Sequence, residues 1–155
     1  MRGKQAPKRI TRPDPKYSNE TVAKLVNYVM RDGKKSIAQK IVYGALDIVT
    51  EKTKRPPVEA LEEALKNVMP QVEVKSKRVG GANYQIPIPV RGERRLSLAF
   101  RWLIEAANTR KGQPMAEKLG SEIYMASQNE GDAVRKRNDV HRMADANRAF
   151  AHFAR

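Results

Sequence analysis

One stretch limits the choice of folds more than any other: Gln71–Arg95, QVEVKSKRVGGANYQIPIPVRGERR. It lies between two segments of helical pattern, and its own period is two. Val72, Val74 and Ser76 alternate with Glu73, Lys75 and Lys77. Beyond Gly80-Gly81, Tyr84, Ile86, Ile88 and Val90 alternate with Asn83, Gln85, Pro87 and Pro89. Two alternating runs about a Gly-Gly pair predict a β-hairpin. Pro87 and Pro89 donate no ladder hydrogen bonds and fall on one strand edge, which suits an isolated two-stranded ribbon. A lone ribbon is marginal in water, so it must pack on helices or be held by a partner. Its cations (Lys75, Lys77, Arg78, Arg91, Arg94, Arg95) point to a polyanionic partner.

The helical pattern elsewhere predicts a mainly α fold, a bundle of about six helices with the hairpin protruding between the third and fourth. Asn19 caps a first helix to about Arg31, with Val22, Leu25, Val26 and Val29 inward. A second runs over about Lys35–Lys52, striped by Ile37, Ile41, Ala45 and Ile48. Pro56-Pro57 opens a third that stops at Pro70. The fourth spans about Leu96–Thr109, and the fifth opens at Pro114. A sixth, capped by Asp132, carries Val140, Met143, Ala144, Asn147 and Phe150 as one stripe. Trp102 reads as core. His141 reads as a polar helix position making a local hydrogen bond. Tyr84 either packs across to the facing strand or stacks on a base.

The 155 residues fit one core, with a net charge of +14 and a pI near 10.2. Residues 1–16 hold six basic and one acidic side chain, and residues 71–95 hold six and two; together they supply +9 of the total. The chain thus divides into a basic N-terminal arm, 1–16, and a single helical RNA-binding domain, 17–155, that includes the hairpin 71–91. The arm contains Pro7, Pro13 and Pro15 and little apolar surface; it is expected to be extended and to order on RNA. There are no cysteines, so disulfides and thiolate zinc sites are excluded. No apolar run reaches the roughly 18–20 residues that span a bilayer, and no membrane partner is expected.

Catalytic constellations are missing from the pattern. His141 and His152 are about three helical turns, or about 16 Å, apart on one helix and cannot share a metal. There is no HExxH, Walker loop or GxSxG elbow. No enzyme, cofactor or metal is expected. Several basic clusters remain, among them Lys34-Lys35, Arg94-Arg95, Arg110-Lys111 and Arg135-Lys136-Arg137. With two flexible basic arms they read as a multi-point clamp on phosphates.

At this point the sequence resembles a known family. Asn19-x-Thr21-x-x-x-Leu25-Val26, then Gly33-Lys34-Lys35 and Ile41-Val42-x-x-Ala45, is similar to the signature of the small-subunit ribosomal protein S-seven family, of bacterial or plastid type. RPDPKY (Arg12–Tyr17), VEVKSKRVGG (Val72–Gly81), RWLIEAA (Arg101–Ala107) and DVHRMADANRAFAHF (Asp139–Phe153) resemble the same family in the same order. The resemblance implies a helical domain with a protruding hairpin. It implies a primary 16S-type rRNA binder that nucleates the subunit head, in the 3′ major domain. It places the hairpin at the tRNA exit site near mRNA, and implies ribosomal proteins nine and eleven as neighbours, the latter through the C-terminal helix. The expected compartment is the cytoplasm, in the small ribosomal subunit, with a plastid or another organelle also compatible. Carried onto this chain, the rRNA contacts are Arg2, Lys4, Lys8, Arg9, Arg12, Lys34, Lys35, Lys75, Arg94 and Arg95, with Arg110, Lys111 and Arg142 as further candidates. The hairpin tip towards tRNA and mRNA is Lys77, Arg78, Val79, Gly80, Gly81, Asn83 and Tyr84. An architectural DNA-binding protein using the ribbon as a groove-inserting arm is the alternative.

Overall fold

The computed structural model describes residues 3, 6 and 10–154. Among them run helices α1 (Glu20–Val29), α2 (Lys35–Thr53) and α3 (Pro57–Val68), strands β1 (Val72–Val79) and β2 (Ala82–Pro89), then α4 (Gly92–Thr109), α5 (Met115–Ser127) and α6 (Asp132–Ala146). A 3-10 segment, Arg148–Ala154, follows. The chain is mainly helical, with one antiparallel hairpin between the third and fourth helices.

Local chemistry explains the boundaries. Asn19 Oδ1 accepts from the amides of Thr21 (2.6 Å) and Val22 (3.2 Å), satisfying two otherwise unpaired donors at the start of α1. That helix stops at Val29 rather than Arg31, because Met30 is already extended and Asp32 and Gly33 both take positive φ. α4 begins at Gly92, earlier than the apolar stripe suggests, so Arg94 and Arg95 lie inside its first turn. α6 has Gly131, not Asp132, at its N-cap. It also ends at Ala146, where Asn147 Nδ2 donates to the Met143 carbonyl (2.8 Å) and the chain tightens into the 3-10 turn. Beyond that point the single stripe expected to reach Phe150 is interrupted, and Met143 faces outward.

α5 is the hub. It packs on α2, α3, α4 and α6 and buries Leu119, Ile123 and Ala126 completely. Phe100 and Leu103 of α4, Leu25 of α1, Leu46 of α2 and Leu61 and Leu65 of α3 complete the core. Each such side chain contributes about 1.5–3 kcal/mol through burial. Trp102 sits in this core, 9% exposed. The α2–α5 crossing is close enough that a Cβ built on Gly120 meets the Ala45 carbonyl oxygen at 2.9 Å. Gly120→Ala is therefore expected to destabilise the fold by about 1–3 kcal/mol through overpacking, measured as a lower urea midpoint at unchanged m-value.

The hairpin pairs Val72 with Pro89 through to Val79 with Ala82, so the ladder includes both prolines. Gly80 and Gly81 have φ of 58° and 90°, the two positive values that a two-residue turn matching strand twist requires. Directly opposed residues share a face, so Glu73, Lys75 and Lys77 lie beside Ile88, Ile86 and Tyr84. This face meets the helices: Ile86 is fully buried, and α6 and the 3-10 segment pack against the ribbon.

Candidate nucleic-acid interface

The root of the hairpin is gripped from two helices. Val90 N donates to Gln71 O (2.9 Å), closing the ribbon. From α4, Arg95 Nε donates to Val90 O (2.9 Å), and Arg94 Nη2 reaches the Glu73 carboxylate (3.2 Å). Lys75 Nζ reaches the same carboxylate at 3.2 Å. From α6, His141 Nε2 accepts from the Gln71 amide (3.1 Å), so His141 bonds across elements rather than locally. Lys75, Arg94 and Arg95, expected to act together, are thus joined here through Glu73 and Val90.

Two pKa directions follow from this geometry. Burial alone would raise the Glu73 carboxyl, but the hydrogen bonds from Lys75 and Arg94 outweigh it and hold it below its usual 4.5. Desolvation, helped by Arg137, lowers His141 below 6.5 against the opposing pull of Asp145, which suits a ring that accepts a hydrogen bond. For Glu73 the folded value is depressed, so its stabilisation is present above about pH 4.5 and is lost as pH falls through the lowered value. Amide protection factors in the hairpin, corrected for the intrinsic exchange rate, are expected to fall on acidification through that window, and Glu73→Gln to remove that dependence.

The tip divides into two sets. Arg78, Gly80, Gly81 and Asn83 are exposed. Tyr84 and Lys77 turn to the C-terminal segment instead. The Tyr84 ring lies 5.2 Å from Phe150 and 5.4 Å from Phe153, and Lys77 Nζ donates to Phe153 O at 2.9 Å. Tyr84 thus lies opposite Lys77 of the facing strand, one of its two expected arrangements, and it also packs on the C-terminal aromatics, which were not foreseen from the sequence.

The remaining candidates are dispersed. Lys34 occupies the N-cap of α2 and Lys35 its first turn; both are exposed, and α2 has no side-chain cap or acidic residue there. Two cations against a helix dipole mark a place where an anion is favourable. Arg12 and Lys111 are exposed. The Arg142 side chain is 81% exposed, 3.8 Å from Asp139. Arg110 is turned inward: its Nη2 lies 2.5 Å from Glu122, a fully buried carboxylate. Arg137 is likewise bound internally, donating to the Asn67 carbonyl and to Asn138 Oδ1. Arg2, Lys4, Lys8 and Arg9 lie outside the described residues.

Two acidic residues with positioning roles gave no local signal in the sequence. Asp14, 3% exposed, accepts from Tyr43 Oη (2.8 Å) and from the amides of Lys16 (3.0 Å) and Tyr17 (3.2 Å). It pins the end of the N-terminal segment to α2. Burial and that hydrogen bond raise the Tyr43 hydroxyl above its ordinary value. Glu122 is the other: besides Arg110, it accepts from Ala133 N at 2.9 Å and so caps α6 from a neighbouring helix.

Among the described residues there is no group of three or more side chains that would hold a metal, and no helix long and apolar enough to cross a membrane. What the surface offers is cations on a rigid root and an exposed turn. Comparison with known proteins decides the matter. A sequence model of the family described as "Ribosomal protein S7p/S5e" matches residues 1–148. The chain belongs to this family. It is similar to the small ribosomal subunit protein uS7 of Thermosipho melanesiensis, 60% identical over 153 residues, 99% of each chain. Against the uS7 protein of Thermotoga maritima the identity is 58% over the same coverage. Against that of Acidithiobacillus ferrooxidans it is 54% over 152 residues, 98% of this chain and 97% of the relative. Ribosomal S7 proteins are structural, non-enzymatic parts of the small subunit, and the architectural DNA-binding alternative falls with that assignment.

Proposed function

We propose that this chain is a primary binder of 16S-type rRNA that nucleates assembly of the small-subunit head in the 3′ major domain. Its hairpin tip then reaches the tRNA exit site near mRNA, with ribosomal proteins nine and eleven as neighbours, in the cytoplasm. The observation that carries this reading is the Glu73 knot. By joining Lys75 of the ribbon to Arg94 of α4, beside the Arg95 and His141 hydrogen bonds to Val90 and Gln71, it ties the hairpin root to the helices. A protein that reads RNA by shape needs cations at fixed separations. Lys75, Arg94 and Arg95 at the root, Lys34, Lys35, Lys111 and Arg142 on the helices, and Arg2, Lys4, Lys8, Arg9 and Arg12 in the arm would neutralise rRNA phosphates. Arg110 would act indirectly, by holding the loop that carries Lys111.

Of the tip, Arg78, Gly80, Gly81 and Asn83 are the exposed part left for tRNA and mRNA, and the Val79 side chain lies outside the described residues. A chain shortened by that loop is expected to bind small-subunit rRNA within about twofold of the full chain, as for surface changes remote from a contact, while tRNA occupancy of the exit site changes in reconstituted subunits. Loss of rRNA binding on shortening the tip would overturn this division.

A further inference from the structure

Ile37 is the exception among the apolar residues that stripe α2. It is 53% exposed, on the wall of a cavity of about 350 Å³ where the end of α1, the start of α2, the end of α4 and the start of α5 meet. Part of the lining is aliphatic: Ile37, Ile41, Ile104 and Met115. Arg31, Lys34 and Lys118 also line it, and among the described residues no carboxylate does. None of the three cations is in an ion pair among the described residues. Asn108 brings an exposed amide, a donor and an acceptor side by side, to the edge.

We propose that this cavity receives one unpaired nucleotide of the rRNA, its base against Ile37 and Met115 and its phosphate among Arg31, Lys34 and Lys118. The inference rests on the rRNA-binding reading and adds to it a specific seat. An apolar lining beside three cations that form no ion pair among the described residues fits a ligand that is flat and apolar at one end and anionic at the other, and a nucleotide has that chemistry. Sequence-sensitive RNA recognition depends on bases splayed out of the helix, because paired base edges are hidden in a deep groove. Size argues the same way. The cavity is near the lower end of the roughly 300–1,000 Å³ of small-ligand clefts. An amphipathic helix needs a longer groove for anchors at successive turns. Ile104 and Asn108 also line a more open neighbouring hollow with Tyr28 and Arg101, which gives the flanking nucleotide an exit along α4. The Asn108 amide is placed to read a base edge, as side-chain amides do by pairing donor with acceptor.

The test is chemical probing of Watson–Crick edges across small-subunit rRNA, bound to the full chain carrying Ile37, Ile37→Val or Ile37→Ser. Met115→Ser and Lys118→Ala serve as independent arms. One unpaired base is expected to be protected by the parent and Ile37→Val proteins and to regain its free reactivity with Ile37→Ser and Met115→Ser. Binding should weaken about three- to tenfold for the apolar surface lost, with the rest of the footprint unchanged. An intact footprint in which no base responds to either serine variant would overturn the inference and leave the rRNA-binding reading standing. So would a defect of the serine variants that appears only in recruitment of another ribosomal protein, which would assign the cavity to an acidic peptide. Absence of any footprint from the parent protein would defeat both.

Discussion

Glu122→Ala is expected to lower stability by about 3–5 kcal/mol, the range for breaking a buried ion pair from one side. Glu122 is fully buried, and three things depend on it. Arg110 Nη2 lies 2.5 Å away, the Ala133 amide donates to it, and Gly131 lacks the Cβ that would stand 2.8 Å from its Oε1. Without the carboxylate, Arg110 Nη2 keeps Met125 Sδ (3.2 Å), and its Nε is already buried without an acceptor among the described residues. The start of α6 loses its cap from α5. For a chain of this length the melting temperature should fall by about 10 °C or more. Replacing both residues, Glu122→Met with Arg110→Met, should recover most of the loss, because no charge is then stranded. A double-mutant cycle by thermal melting reads this coupling. Additive losses would show that the pair is not the source of the effect.

The second large effect is on RNA. Lys34→Ala, Lys35→Ala, Arg94→Ala and Lys111→Ala together are expected to reduce affinity for small-subunit rRNA by about 10²–10³-fold near physiological salt. The slope of log K against log salt should fall by roughly 0.7–0.9 for each phosphate no longer neutralised. Helical circular dichroism should be unchanged, since none of the four side chains is buried. A lower affinity with an unchanged slope would mean that the contacts are not phosphates.

The hairpin was legible because its signals are local. A two-residue period and a Gly-Gly turn lie within one short stretch, and Val79 and Ala82 pair across that turn. The core stripes were legible where apolar residues recur at three and four. What could not be read depends on partners distant in sequence. Glu122 looks like any surface glutamate of a helix until α6 is laid across it. Arg110 looks like its neighbour Lys111, yet one is bound inside and the other is exposed. Ile37 has the spacing of a core residue, but the position it faces is the cavity mouth. The first turn of α4, Gly92 to Arg95, contains no apolar residue, so its helical character left no trace in the pattern. Tyr84 was ambiguous because its partners, Phe150 and Phe153, lie more than sixty residues later.

In the proposed function, cations set on the helices and hairpin root recognise one shaped region of small-subunit rRNA. A footprint of the full chain on the complete, protein-free rRNA, taken at rising salt, tests it most directly. A discrete protected region at a multi-helix junction of the 3′ major domain is expected, fading as a unit with salt. Protection spread evenly over unrelated helices, or a discrete footprint in another domain of the RNA, would contradict it.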